Sequence, residues 1–285
     1  MEKKAYAYTV INVFVLLAAA VFFFSNYRPG DMFQGVEASF VGILIVTVMI
    51  VHCLKAIRLY FALYGGGLSF SRYLKIYCKA TPVSIIFPFK TGELFRMYCY
   101  GMQTGDMLKG VITVVLDRFM DTIALLTMII GINAICGGVI APFVYGLIVF
   151  AVVLLLMYMA FPGMHHYWLK YLLRADATSR RIKVLKILDN LNHVYKEIGN
   201  VTRGRGIILY GLSLMAWGVE ISAISLLYRL RGEKDVSGKI FEYISSAISS
   251  SQSTELKQFV FISVVVLSVL YALVKLAATT VYERI

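Results

Sequence analysis

Apolar residues fall into six long runs along the chain, separated by shorter polar segments. Each run reaches the roughly 20 residues that a helix needs to cross the hydrocarbon core of a bilayer. The first run is too long for a signal-peptide core and lacks a small-x-small cleavage signal, so we expect it to be retained as a span. The pattern predicts spanning helices at residues 6–25, 38–62, 110–131, 138–161, 206–229 and 258–281.

The segment at about 163–205, between the fourth and fifth runs, is strongly basic, with nine Lys and Arg against three Asp and Glu. The positive-inside rule places such a loop in the cytoplasm. Counting spans from this loop, and from Lys3 and Lys4 at the start of the chain, places both termini in the cytoplasm. Apolar residues recur within it at three- and four-residue steps from Ile182 to Tyr195, which is typical of an amphipathic helix on the membrane face. A solvated connector is the alternative.

Residues 73–109 are too apolar for a free cytoplasmic loop, yet Pro82, Pro88 and Gly92 interrupt them. We expect Pro88 to stop one helix and Gly92 to permit a tight bend before the next. Because both flanks are predicted to be cytoplasmic, the segment is expected to dip into the membrane and return. Irregular backbone at membrane depth is tolerated where protein or a wet cavity covers it, so we expect a cavity open toward the cytoplasm.

The predicted external segment before the last run is rich in serine and contains Glu255. It is either a loop or a second re-entrant piece, at about 240–257. Transporters often pair broken segments as inverted repeats. The four residues from Thr91 to Leu94 resemble those from Ser253 to Leu256, which is compatible with such a repeat.

Composition supports a single transmembrane domain over residues 1–285, located in the plasma membrane. The chain is 59% hydrophobic and 15% charged, whereas soluble domains carry about 25% charged residues. Its net charge of +12 suits cytoplasmic loops beside anionic lipids rather than nucleic acid. The sequence has no G-x-S-x-G elbow, phosphate loop or C-x-x-C pair, and so predicts no catalytic residue, no cofactor and no metal site. The expected fold class is all-α: a polytopic membrane protein with about six spanning helices and one or two re-entrant segments.

Several charged residues lie inside these apolar regions, where one charge costs about 2.5–3.5 kcal/mol at the bilayer centre. Such residues need partners, and mutual neutralisation that fixes helix registry is one explanation. The cations equal or outnumber the acids, however, and a surplus of Arg and Lys suits an anionic head group. The candidate cations are Lys55, Arg58, Lys90, Arg96 and Arg118, and the acids are Glu93, Asp117, Asp121 and Glu220. Glu255 is a further possible partner from the second half.

The order of these motifs over residues 40–130 resembles the lysylphosphatidylglycerol synthase transmembrane family. The matching residues are Lys55 and Arg58, then Pro88-x-Lys90-x-Gly92-Glu93-x-x-Arg96, then Asp117-Arg118-x-x-Asp121. The resemblance implies re-entrant helices around a cavity that binds, and in characterised members is proposed to flip, anionic or modified phospholipids or polyprenyl-linked glycolipids. By position it implies that Glu93, Arg96, Asp117, Arg118 and Asp121 line or brace that cavity.

Two features depart from the family. Glu255 follows serines, where the family usually has a Pro- and Gly-rich bend before a glutamate. The aminoacyl-transferase domain that makes the lysyl lipid is not in these 285 residues, so we expect a stand-alone flippase-like member.

Three functions fit these observations. The leading one is a translocase, or an accessory subunit of one, for a membrane phospholipid or polyprenyl-linked glycolipid. The second is a scaffold that presents a lipid carrier to a glycosyltransferase, with the basic segment as its docking surface; a homo-oligomer is another possible assembly. The third is an intramembrane transferase with Asp117 or Asp121 as general base.

Overall fold

The structure is a computed structural model that describes residues 2–63, 67–87, 91–136, 142–174, 178–248 and 253–282. All regular secondary structure in these ranges is helical. The helices are α1 (Glu2–Asn26), α2 (Pro29–Met32), α3 (Ala38–Leu63), α4 (Phe70–Ile86), α5 (Gly92–Thr104), α6 (Met107–Cys136), α7 (Pro142–Leu173), α8 (Ser179–Thr202), α9 (Gly206–Leu230), α10 (Val236–Ile248) and α11 (Thr254–Tyr282).

Five described helices, α1, α3, α7, α9 and α11, are long and apolar enough to cross a membrane. They correspond to five of the six predicted spans. The remaining predicted span, 110–131, lies within α6, which has 30 residues but carries buried charges at Asp117 and Asp121. The chain is therefore an all-α polytopic membrane protein, with α6 at the centre of its helix bundle.

The core has two main parts. In one, α3, α6 and α9 pack together, and in the other α4, α5 and α11 pack against α3. Helices α1 and α7 lie at the periphery with most of their apolar surface exposed. Small residues let helices approach closely, as is common in membrane proteins. A Cβ atom on Gly110 of α6 would lie 2.4 Å from the backbone nitrogen of Gly101 in α5. This glycine pair fixes the close contact between α5 and α6.

Helices α4 and α5 form the helical hairpin expected for residues 73–109. They have 17 and 13 residues, or about 26 and 20 Å, so neither alone spans a core of about 30 Å. A Cβ on Gly92 would lie 2.4 Å from the backbone oxygen of Val83, so a glycine is required where α5 begins against α4. Pro82, which we expected to interrupt the segment, is buried inside α4, and Pro88 lies outside the described residues.

The basic segment continues α7 as far as Leu173 and then forms the predicted amphipathic helix, α8. Tyr195 of α8 stacks on Phe161 of α7, with 5.0 Å between ring centroids. Of the predicted apolar face, Leu185, Leu188 and Tyr195 are partly buried, whereas Ile182 and Leu191 are exposed. The position of this face against the membrane stays a prediction.

Before α11, α10 packs against α9, and the hydroxyl of Ser246 in α10 donates to that of Ser253 at 3.1 Å. The Ser249–Ser251 part of the serine tract lies outside the described residues. The segment before α11 thus contains a helix, α10, that packs against α9, rather than an irregular loop throughout.

Candidate functional site: a charged cluster and an amphipathic cavity

Arg58 of α3 lies at the centre of the charged cluster and is 2% exposed. Its Nε donates to Oδ1 of Asp117 at 2.8 Å, and its Nη1 donates to Oδ1 of Asp121 at 2.7 Å and to the hydroxyl of Ser213 at 2.6 Å. The two aspartates lie four residues apart on α6, so they share one face. One guanidinium therefore joins α3, α6 and α9.

Arg96 of α5 is the second fully buried guanidinium. It contacts Oδ2 of Asp117 at 3.2 Å and Oε2 of Glu93 at 3.4 Å. Asp117 is thus shared by two arginines, and Arg96 joins the α4–α5 hairpin to α6. A buried ion pair of this kind chiefly fixes geometry, because desolvation offsets much of the Coulombic attraction.

Arg118 and Lys55 are more accessible, with 36% and 21% of their side chains exposed. Arg118 contacts Oε1 of Glu93 at 2.8 Å and Oδ2 of Asp121 at 3.9 Å. Lys55 lies 3.8 Å from Oε2 of Glu220 and 5.5 Å from the ring centroid of Trp217. These two cations can meet a ligand without leaving the bundle.

Both accessible cations line a cavity of about 310 Å³. One end is polar and the other is apolar. The polar end consists of His52, Lys55, Arg118, Asp121 and Glu220, and the apolar wall includes Leu125, Leu126, Leu147, Leu256 and Phe259. An amphipathic cavity of this kind suits a ligand with a charged head and a hydrocarbon tail.

The cavity extends away from α8. Helix α8 lies at the end of the bundle where α7 ends and α9 begins, whereas Leu147 and Leu256 lie near the starts of α7 and α11. The start of α11 is at the far end, because Glu255 contacts Arg231, just beyond α9, at 3.3 Å. We expected a cavity open on the side of the basic segment, whereas the lining of the cavity that holds the cluster extends from Lys55 and Arg118 toward the opposite half.

Close packing of aromatic side chains explains this difference. Tyr73, Tyr77 and Tyr100 of the hairpin are almost completely buried in the half nearer α8. The hydroxyl oxygen of Tyr77 also lies 3.1 Å from Nδ1 of His52, which lines the cavity. The hairpin therefore fills the space that the sequence suggested would be open.

Several cavity-lining residues have buried polar atoms without a hydrogen-bond partner among the described residues. An unsatisfied buried polar atom costs about 1–3 kcal/mol, so each such atom calls for a partner such as an ordered water or a bound group. The atoms are Nε2 of His52, Nε of Arg118, Nε1 of Trp217, Oε2 of Glu220 and Oγ of Ser263.

The structure brings together most of the predicted site residues. Gly92 begins α5, and residues 88–90 of the predicted bend lie outside the described residues. Glu220 lines the cavity and accepts a 2.7 Å hydrogen bond from Tyr243 of α10. Glu255 does not reach the cluster, because it pairs with Arg231. Lys90 lies outside the described residues. The predicted cationic surplus depends on that lysine, since the other four candidate cations face four acids.

Sequence reasoning missed Ser213, Trp217 and Tyr243. Ser213, Trp217 and Glu220 are spaced four and three residues apart, so they lie on one face of α9. The spacing of these polar residues on one face of a predicted spanning helix, around a glutamate, could have indicated from the sequence that they belong to the site. Within the described part of the chain, no group of three or more His, Cys, Asp or Glu residues could hold a metal ion.

Comparison with known protein families shows that the family described as the lysylphosphatidylglycerol synthase TM region matches residues 9–241. The match extends well beyond residues 40–130, where the motifs had suggested it. Comparison with curated proteins and with solved structures gave no significant match. Because the family covers well over half of the chain, this protein belongs to the lysylphosphatidylglycerol synthase TM region family.

Proposed function

We propose that the protein is a translocase for a lipid or lipid-linked glycan, and that it binds a phosphate-bearing head group in the amphipathic cavity. The observation that carries this proposal is the pair of accessible cations, Lys55 and Arg118, at the polar end of an amphipathic cavity. A head group would bind these cations, while the apolar wall would receive the first part of the hydrocarbon chain. Membership of the family supports a lipid-related, flippase-like role.

The polar residues of the cavity limit the classes of head group that fit it. Arg118 and Lys55 suit a phosphate, which guanidinium and ammonium groups bind through charge-assisted hydrogen bonds. Glu220 and Asp121 accept hydrogen bonds only, when ionised. They suit the hydroxyl groups of a sugar or glycerol, or an amine. The expected head group therefore combines an anionic phosphate with hydrogen-bond donors.

Head-group binding would also weaken a contact that holds the α4–α5 hairpin to α6. Glu93 follows the bend and holds Arg118 at 2.8 Å, so a phosphate that binds Arg118 competes with this carboxylate. Losing this contact weakens one link between α5 and α6, while the buried Arg96–Asp117 pair remains. Occupancy of the cavity is thereby coupled to the freedom of the hairpin to move, as transport requires.

The orientation follows from charge. We place α8 and both termini in the cytoplasm of a plasma-membrane protein, because the basic residues between α7 and α9 favour the inner face. The hairpin then enters from the cytoplasm as a re-entrant element, and the cavity lies in the outer half in this conformation. A translocase would also adopt a second conformation with the cavity open to the inner side.

Reconstitution into liposomes tests the proposal. Fluorescent phosphatidylglycerol, phosphatidylcholine and a polyprenyl-phosphate sugar are supplied separately, and the rate at which each label crosses the bilayer is measured. We expect one lipid class to move, and the Lys55→Gln/Glu220→Gln double variant, which preserves net charge, to slow it at least about tenfold.

The alternative is a scaffold that presents a lipid carrier to a separate glycosyltransferase. Exposed apolar residues beside the basic positions of α8, such as Ile182 and Ile187, favour a docking role for this helix. The scaffold becomes the better explanation if no lipid moves under any gradient while the purified protein retains a bound lipid. Charge reversal on α8 should then abolish activity in the presence of the partner enzyme.

A further inference from the structure

A second groove runs along α4 between α1 and α11, on a different side of the molecule from the amphipathic cavity. It consists of two adjoining cavities of about 260 and 450 Å³ that share Lys79 and Tyr271. Neither shares a lining residue with the amphipathic cavity. We call the two together the α1–α4–α11 groove.

Lys79 lies at the junction of the two halves. It is nine residues into α4, or about 14 Å along the helix. Its Nζ donates to the hydroxyl of Tyr8 at 3.0 Å and to Oδ1 of Asn12 at 2.7 Å, and lies 5.0 Å from the centroid of the Tyr8 ring. These partners are neutral, and no described carboxylate forms an ion pair with Lys79. An ionisable residue at membrane depth is costly and marks a functional site by default.

The smaller half of the groove is strongly cationic. Arg72, Lys75 and Lys79 are spaced three and four residues apart and therefore follow one face of α4. Like charges at this spacing destabilise a helix unless an anion lies among them. The remaining described lining residues of this half are Tyr8, Ile76, Gln103, Tyr271 and Lys275, so its described lining contains no carboxylate.

The larger half is apolar. It is lined by Leu16, Ala20 and Phe24 of α1 and by Val265 and Val269 of α11, among others. Phe24 and Val269 are largely exposed, so the groove faces the surrounding lipid. An apolar channel that begins at a cluster of cations matches a phospholipid, with its phosphate at the cations and an acyl chain beyond them.

We propose that the α1–α4–α11 groove binds an anionic phospholipid, whose phosphate contacts Lys79, Lys75 and Arg72 and one of whose acyl chains lies between α1 and α11. The cationic end is on the same side of the bundle as α8, because α4 begins where α3 ends and α3 contacts α8. In the orientation proposed above, the lipid comes from the inner leaflet, where anionic lipids attract basic residues. The bound lipid fastens α1, which otherwise has little buried surface.

Native mass spectrometry of the detergent-purified protein tests this site. Phosphatidylglycerol and phosphatidylcholine are titrated against the wild type and against the triple variant Arg72→Gln/Lys75→Gln/Lys79→Gln. The wild type should bind phosphatidylglycerol in preference, and the variant should bind it at least about tenfold more weakly. The matched control Arg180→Gln/Lys183→Gln/Lys186→Gln removes three charges from α8 and should bind like the wild type. Equal affinity of the groove variant and the wild type would overturn the proposal.

A second variant tests the groove without altering charge or the buried core. Ala20 is exposed and lines the apolar half, so Ala20→Trp fills the groove while leaving the fold intact. We expect it to weaken phosphatidylglycerol binding as well, and unchanged binding would contradict the acyl-chain position. Glycerol 3-phosphate should fail to displace the lipid; complete displacement would show a soluble-phosphate site instead. Lipid bound in the amphipathic cavity is common to the wild type and the groove variants, because the two sites share no lining residue. The difference in binding between these proteins therefore reports the groove alone, and the two proposals can fail separately.

Discussion

Replacing Arg58 by methionine is the perturbation whose effect the structure defines best. Methionine has a similar length and no charge, so the change removes the hydrogen bonds that join Arg58 to Asp117, Asp121 and Ser213. Asp117 keeps its ion pair with Arg96 at 3.2 Å, whereas the one ion pair that Asp121 keeps among the described residues is the longer contact with Arg118, at 3.9 Å. The variant therefore leaves one buried carboxylate poorly compensated.

Breaking a buried ion pair by removing one partner costs about 3–5 kcal/mol. We expect Arg58→Met to lower the free energy of unfolding by this amount, which reduces the folded-to-unfolded ratio by more than about 100-fold. Adding Asp121→Asn removes the uncompensated charge. The double variant should recover part of the loss, with a coupling energy of about 0.5–3 kcal/mol.

Unfolding is followed by titrating sodium dodecyl sulfate against protein in mixed micelles, with far-ultraviolet circular dichroism and the fluorescence of the two tryptophans, Trp168 and Trp217, as probes. Lys239→Met is the control, because Lys239 pairs with Glu242 at 2.9 Å but both side chains are exposed. An exposed pair contributes at most about 1 kcal/mol. The reasoning is refuted if Arg58→Met costs no more than this control.

Further changes test the hairpin and the cavity wall with the same unfolding assay. Gly92→Ala would place a Cβ against the backbone of Val83 and should cost about 1–3 kcal/mol of stability. Its control, Gly211→Ala, has nothing within 4 Å of the added Cβ and should be neutral or slightly stabilising. Equal effects of the two variants would show that the hairpin contact is unimportant. Tyr243→Phe removes the 2.7 Å hydrogen bond to Glu220 and should cost about 1.5–3 kcal/mol of stability. A loss below roughly 0.5 kcal/mol, the lower limit for a hydrogen bond, would contradict this prediction.

The helices were predictable because lipid imposes simple rules on sequence. A run of about 20 apolar residues has few alternatives to a spanning helix, and five described helices confirm such runs. The break before Gly92 was also predictable from Pro88 and Gly92 in the sequence, although Pro82, which we expected to interrupt the same segment, lies inside α4. These features depend on local sequence alone.

The pairing of the charges was not predictable, because it depends on how distant segments pack. Arg58 and Asp117 are 59 residues apart, and several pairings among the candidate acids and bases were equally compatible with the sequence. Packing also separates Arg96, which is fully buried, from Arg118, which is accessible. Successive helical residues differ by about 100° in direction, so Asp117 faces the core while its neighbour Arg118 faces the cavity.

The side on which the cavity lies was missed for a related reason. The apolar character of the hairpin suggested a cover for a cavity open to the cytoplasm. In the structure the tyrosines of the hairpin pack densely in that half, with Tyr73 and Tyr100 stacked at 6.2 Å between ring centroids. The bulky side chains of the hairpin fill the space where we expected a cavity. Hydrophobicity alone does not distinguish a hairpin that covers a cavity from one that occupies it.

The transport rate of Arg118→Gln in liposomes tests the central claim most directly. Its control, Arg231→Gln, removes a guanidinium of nearly equal exposure, 37% against 36%, that also has a carboxylate partner but lies outside the cavity. The account predicts that Arg118→Gln slows movement of the transported lipid at least about tenfold while Arg231→Gln moves it at the wild-type rate. If both variants transport equally well, the cavity cations do not bind the head group and the account is wrong.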